Sequence, residues 1–469
     1  MKKVSLLVMV LSCILFTTKI KAQTNEETTE KVNTVKDRVD GIDERLSTVE
    51  SDLSKLKKIK FSGYILSQFE NYADKSVQPN SFFSVREARF KLTYEATDGV
   101  NFVLQPDFQP GLAIKSTSSG LNSFAPNLSI KDAYVQANDR WLNIFSLWVG
   151  KFNRPNYEVE QSSAVREVPE RARVIQAIYP GERGMGFKLE ANPQHIPLHV
   201  QFAVLNGSEG LTIKDSLGNN LSYNENKDFD NYKDFMGRVT YNLKVNSMLG
   251  IDFGVNGYYG KVASKSKTTL NGDYTTVSTV NVGDAIKRNW FGAEMQVYID
   301  WLGGLSLKGE YMQGQNATMG NIGGTGTYQV ANFQNNFRGY YAYLIKNIGK
   351  KNQFAFRMDY YDPNTDIDGT NIGVRKYAGV AGKIASKTSG SSDLAYTTFN
   401  FAWHYYFNDN VRLSLMYSIV QNEKVAVNPT TNAGYVTAKY TNYDGTSGVN
   451  DYSSVFNQNI LTLRLTTKF

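Results

Sequence analysis

Cysteine is almost absent from this 469-residue chain: the one copy, Cys13, lies in a stretch that export would remove. Neither a disulfide framework nor thiolate chemistry is then open to the mature protein. Histidine is nearly as scarce, with His195, His199 and His404 in separate segments. His195 and His199 have the spacing of a zinc-binding helix, but Pro193, Pro197 and the alternation around them exclude a helix there. No nucleophile, base and orienting group assemble, so no catalytic residue, metal or cofactor is expected. Charge of one sign is lacking too. The formal balance is +7, and without the four lysines of the first 22 residues (Lys2, Lys3, Lys19, Lys21) it is +3. So mild a balance gives no reason to expect a nucleic-acid partner. After the N-terminal stretch no apolar run approaches the ~18 residues of a transmembrane helix. What is present is aromatic: 29 Tyr and 26 Phe in a chain that is 41% hydrophobic, enough apolar surface to fold.

Residues 1–22 read as a secretory signal peptide. Lys2 and Lys3 precede an uncharged run from Val4 to Phe16, and Ile20-Lys21-Ala22 ends on a small residue. Ser12-Cys13 raises a lipoprotein signal as a rival, against which stand Leu11 and the continuation of the apolar run past Cys13. Residues 23–58 then carry a heptad: Val32, Val35, Val39, Ile42, Leu46, Val49, Leu53 and Leu56 are spaced alternately by three and four. A seam of two apolar positions per heptad, flanked by charges of both signs, predicts a short N-terminal α-helical coiled coil. Val35, Ile42 and Val49 at d positions disfavour a dimer and favour a trimer.

From residue 59 to 469 the pattern changes to period two. Phe399, Phe401, Trp403, Tyr405 and Phe407 share one face, and Asn400, Ala402, His404 and Tyr406 share the other. Stretches of about ten residues with aromatic-rich apolar faces suit a tilted strand crossing a bilayer. Seven short turns alternate with eight long polar connections, hence sixteen strands. An all-β, 16-stranded transmembrane antiparallel β-barrel in an outer membrane is expected, with aqueous lumen, lipid outside, long loops extracellular and the coiled coil in the periplasm. The chain stops on Phe469, in phase with Leu461, Leu463 and Leu465.

The run Val149-Gly150-Lys151-Phe152-Asn153-Arg154-Pro155, followed by Glu170-Arg171 and Pro180-Gly181-Glu182-Arg183-Gly184, resembles the phosphate-selective porin O and P family. Arg86-Glu87-Ala88-Arg89-Phe90 and Lys131-Asp132-Ala133-Tyr134-Val135 share the resemblance. It implies a trimeric 16-stranded porin with an arginine-lined constriction that prefers anions. It also implies that Arg171 and Arg86 match constriction arginines, whereas Glu87 and Val159 stand where the family carries further positive charge.

The constriction loop is expected at 153–183, where Arg154, Arg166, Arg171, Arg173 and Arg183 accompany Glu158, Glu160, Glu167, Glu170 and Glu182. With Arg86 and Arg89 these arginines are the candidate anion site, since guanidinium forks match phosphate and carboxylate oxygens. The competing reading is that they pair with the glutamates and brace the loop. Strict alternation points Arg86 outward, so its match requires a bulge. Asn364 to Gly369 resembles the start of a calcium loop, but Arg375 at the twelfth position excludes an EF-hand and leaves only a loose divalent site. The expected partners are a homotrimer, outer-membrane lipid and small anionic solutes, with a periplasmic cell-wall contact through the coiled coil. A structural or adhesive barrel is the alternative.

Overall fold

The computed structural model describes residues 26–109, 114–116, 122–124, 127–155, 163–178, 182–207, 213–214, 220–221, 228, 230–264, 266–274, 277–300, 303–321, 330–375, 389–441 and 445–469. The expected signal peptide, 1–22, lies outside these residues, as do loop positions 156–162, with Glu158, Val159 and Glu160, and 179–181.

The chain divides into a helical unit ending at Ile59 and a second unit from Lys60 onward. Helix α1 spans Glu26–Lys57, 32 residues, through Gly41 without interruption. Its heptad residues Val39, Ile42, Leu46, Val49, Leu53 and Leu56 remain 48–63% exposed.

The second unit is built from sixteen wall strands. They are β1 (Ile59–Tyr72), β2 (Ser81–Thr97), β3 (Val100–Gln109), β4 (Asn127–Asn138), β5 (Phe145–Asn153), β6 (Arg183–Ala191), β7 (Leu198–Leu205) and β8 (Asp234–Lys244). Then come β9 (Leu249–Ala263), β10 (Ala285–Ile299), β11 (Leu305–Asn321), β12 (Val330–Ile348), β13 (Asn352–Asp362), β14 (Tyr396–Tyr406), β15 (Val411–Asn422) and β16 (Ile460–Lys468). Each pairs with its sequence neighbours, and β16 pairs antiparallel with β1 from Tyr64–Lys468 to Tyr72–Ile460, which closes the ring. Closure satisfies every edge strand, the condition for crossing a membrane with strands.

Alternation carries the fold. In β10, Ile286, Arg288, Trp290, Glu294 and Gln296 are buried while Phe291 and Met295 are exposed, so a polar or mixed face looks inward and an apolar one outward. Several strands are longer than the roughly ten residues the bilayer demands: β2 and β11 have 17 and β12 has 19. They continue as paired hairpins beyond the apolar belt at the long-loop end. There the loops form a small core of their own around Leu270, Ile372, Leu394 and Val425.

Candidate functional site

Between β5 and β6 the chain leaves the wall and turns into the lumen. A short helix, α2 (Arg173–Ile178), forms there, with Val174, Ile175 and Ile178 buried. They are 0%, 0% and 2% exposed and pack on inward side chains of the far wall, among them Trp290, Met312, Phe337 and Tyr341. Gly339 of β12 makes the recess: a Cβ placed on it would lie 2.5 Å from the Cβ of Val174. Burying three such side chains contributes roughly 1.5–3 kcal/mol each.

Polar anchors hold the rest of the loop. Arg464 of β16 donates to the Pro169 carbonyl at 2.6 Å, and Arg357 of β13 donates to the Glu170 carbonyl. Arg288 of β10 donates to the carbonyls of Gly207 at 3.2 Å and Ile178 at 3.4 Å. Lys308 reaches the Glu167 carboxylate, and the buried His404 ring meets the Glu167 carbonyl and, at 2.7 Å, Ser414 Oγ. His404 therefore serves the loop's position.

The seven candidate arginines fall into two groups. Arg89, Arg154, Arg166 and Arg183 are 3–7% exposed, and each is held by protein partners. Arg89 contacts Asp107 at 3.0 Å and Glu87 at 3.3 Å, and Arg183 donates to Asp132 at 2.9 Å and to Glu182. Arg154 donates to the Arg183 carbonyl at 2.9 Å. Arg166 donates to the Pro169 carbonyl at 3.1 Å and Ser163 at 3.3 Å. Desolvated guanidiniums need such partners, and these four brace loop and wall.

Arg86, Arg171 and Arg173 face a gap of about 420 Å³ between the loop and the wall from β13 to β16 and β1, together with Arg357, Glu70, Glu170 and Asp359. Arg86 meets Glu170 at 3.3 Å and keeps 42% of its side chain exposed. Arg171 pairs with Glu182. Arg173 donates from Nε to Thr398 Oγ1 at 3.1 Å and lies 4.4 Å over the Tyr396 ring. Among the described residues its guanidinium contacts no carboxylate. Arg86 is not outward. Both it and Glu87 meet loop residues, since Glu87 accepts from Ser163 Oγ at 3.0 Å, so the alternation breaks between them as at a bulge.

The loop's carboxylates are locked by these cations. Burial works against the charge of Glu170, but Arg464 and Arg86 outweigh it and hold the carboxyl at about 2. Although 27% of that side chain still meets lumen water, protein surrounds it on the remaining sides. Glu182 is likewise held at about 2, burial being outweighed by Arg171 and then Arg183. Glu170 and Glu182 are thus ionised, and they subtract from the positive charge of Arg86, Arg464 and Arg171.

Glu70, Thr398 and Asn400 also line this gap and were not singled out in the sequence. Glu70 is in phase with Leu66 and Gln68, both buried, and that phase was the available signal. In the loop between β13 and β14, the Asn364 amide donates to the Gly272 carbonyl at 3.0 Å and to Asp393 at 2.9 Å. Asp368 accepts from the Thr370 and Asn371 side chains of its own turn, and among the described residues no cluster of metal-ligating side chains occurs.

A closed barrel with an apolar outer face, a charged lumen and a loop folded into that lumen is an outer-membrane channel. The sequence profile of the phosphate-selective porin O and P family matches residues 63–441, and the chain belongs to that family. Solved structures of similar fold include Pseudomonas putida OprB at high pH, with 8% identity and a TM-score of 0.53 over 89% of this chain and 96% of that one. An anion-selective porin from Comamonas acidovorans aligns with 12% identity and a TM-score of 0.47 over 88% of this chain and 99% of that one. OmpT of Vibrio cholerae, described in a trimer form, aligns with 10% identity and a TM-score of 0.43 over 88% and 99% of the two chains. No curated protein sequence matches the chain.

Proposed function

We propose that this porin passes small polar solutes passively through the gap beside loop 153–183 and prefers anions, phosphate-like ones among them. The observation that carries the reading is the position of Arg173. It stands at the gap with its guanidinium Nε–H given to Thr398 and no carboxylate in contact with that guanidinium among the described residues, its backbone N–H given to Asp359 at 3.3 Å, and Arg86 and Arg171 on the same cavity. Partly desolvated guanidiniums offer bidentate donors to phosphate or carboxylate oxygens, and in a narrow lumen their field is screened less than in bulk salt. The pairing of Arg86 and Arg171 with Glu170 and Glu182 keeps the preference moderate.

The reading places the short turns and α1 in the periplasm and the long loops outside, the usual polarity of such barrels. It assembles three copies through the exposed seam of α1, whose β-branched d positions suit a trimer.

Replacing Arg171 and Arg173 with Ala tests the selectivity. The ratio of anion to cation permeability should fall, more at low salt than at high, while loss of the exposed Lys424 should change nothing. An unchanged reversal potential in a conducting double variant would leave a general diffusion pore in which all the arginines are braces. A folded barrel that inserts and passes no current would favour the structural or adhesive role.

A further inference from the structure

A second recess opens on the outer face of the wall. Its volume is about 570 Å³, and it lies across β9 to β12 in their long-loop half. Strand phase identifies the side: Asn289 and Phe291, Gln313 and Gln315, and Asn336 and Arg338 are outward positions, and the intervening Trp290, Gly314 and Phe337 contribute the floor. Thr365 overhangs from the loop after β13. Its N–H donates to the Asn336 carbonyl at 2.9 Å, and the Asn336 amide donates to Asp366 at 2.7 Å, fixing that roof.

The position relative to the bilayer follows from the outward residues in order along these strands. Met295, Leu307 and Leu344 are apolar and exposed. Next come Phe291 and the adjacent row Tyr311, Tyr340 and Tyr360, the aromatic level that marks a membrane interface. The amides of Gln313, Gln315 and Asn336 and the Arg338 guanidinium lie immediately beyond, at headgroup depth.

The chemistry there is specific. The carbonyl of Gln313 accepts from Tyr311 at 2.6 Å, and that of Gln315 accepts from Gln334 at 2.9 Å, which orients both amide nitrogens. Those nitrogens and the whole Asn289 amide have no partner among the described residues. Arg338 lies 5.9 Å over the Tyr360 ring. The Asp362 carboxylate, paired opposite it on β13, offsets its charge, and the Asp366 carboxylate is turned to Asn336. Amides with spare donors, a hydroxyl, aromatic edges and little net charge match the hydroxyl-rich surface of a saccharide better than a bare phosphate.

We propose that this recess binds the saccharide headgroup of an outer-leaflet glycolipid, one per barrel, with its acyl chains along the apolar outer wall. The inference rests on the long loops being outside, which protease shaving of whole cells checks separately, and it is independent of the selectivity of the lumen.

The test is native mass spectrometry of the full-length protein in detergent with three probes: a rough lipopolysaccharide, a phosphatidylethanolamine, and the deacylated core oligosaccharide. One lipopolysaccharide should bind per barrel at least tenfold more tightly than either other probe. Gln313→Leu with Gln315→Leu should weaken it at least tenfold and leave single-channel conductance unchanged. If that pair does not insert, Asn289→Leu alone is read the same way. Phosphatidylethanolamine binding as tightly would show a generic lipid contact, and oligosaccharide binding as tightly would show a soluble-sugar site. Either result, or undiminished binding by the variants, overturns the proposal.

Discussion

The seating of loop 153–183 rests on two comparable sets of interactions, and removing one of them should be visible in the current. Replacing Val174, Ile175 and Ile178 with Ser withdraws three side chains that are 0–2% exposed. At roughly 1.5–3 kcal/mol each, the docked position loses about 5–9 kcal/mol. The anchors that remain include hydrogen bonds from Arg464, Arg357 and Arg288 to the Pro169, Glu170 and Ile178 carbonyls. Bonds from charged donors contribute about 1.5–3 kcal/mol each, so the docked position keeps about half of this favourable energy to set against the conformational entropy of the loop. The variant loop should therefore exchange between docked and released positions. In single-channel recordings the quiet wild-type level should give way to flicker between it and a larger conductance. Gly339→Val approaches the same contact from the wall, where even a Cβ would sit 2.5 Å from that of Val174. Overpacking of this kind costs about 1–3 kcal/mol, so its flicker should be less frequent. Heat-modifiable migration on gels establishes that each barrel is folded. A folded triple variant with quiet, wild-type current would refute the reasoning, because the polar anchors alone would then seat the loop.

Glu170 and Glu182 set the response to acid. Both carboxyls are held at about 2 against an ordinary 4.5, so their stabilisation of the loop is complete above about 4.5, drains as pH falls below it, and is gone near 2. Channel noise should be constant from pH 7 to 5 and rise from pH 4.5 to 3; a trace indifferent over that lower range contradicts the pairing. Glu170→Gln should release Arg86 and Arg464 from a charge partner and raise anion over cation permeability at neutral pH, read as reversal potential. Deleting residues 23–58 should leave foldable barrels whose trimers dissociate at lower temperature on semi-native gels. Trimers of unchanged heat resistance would assign α1 to another periplasmic partner such as the cell wall.

Much of the wall was legible because alternation is written one residue at a time. In β10 each inward side chain is followed by an outward one, and no distant contact is needed to read that. The same holds for the continuous helix from Glu26 to Lys57, whose spacing by three and four is local. The lumen was less legible because its contacts are remote in sequence. Nothing near Arg464 announces Pro169, nor does anything near Gly339 announce Val174. Five loop arginines look alike in sequence, yet burial and partners divide them into braces and gap-facing groups. Arg86 shows the limit of the pattern itself: a single break in alternation reverses which way a side chain points.

The central claim is that the gap beside the loop conducts and favours anions. Reconstituting the wild-type protein in a planar bilayer and measuring the zero-current potential across a tenfold KCl gradient tests it most directly. The account predicts discrete open channels with a potential of the sign set by chloride, larger at low mean salt. A potential of the opposite sign, or one that stays at zero at every salt concentration, would contradict it.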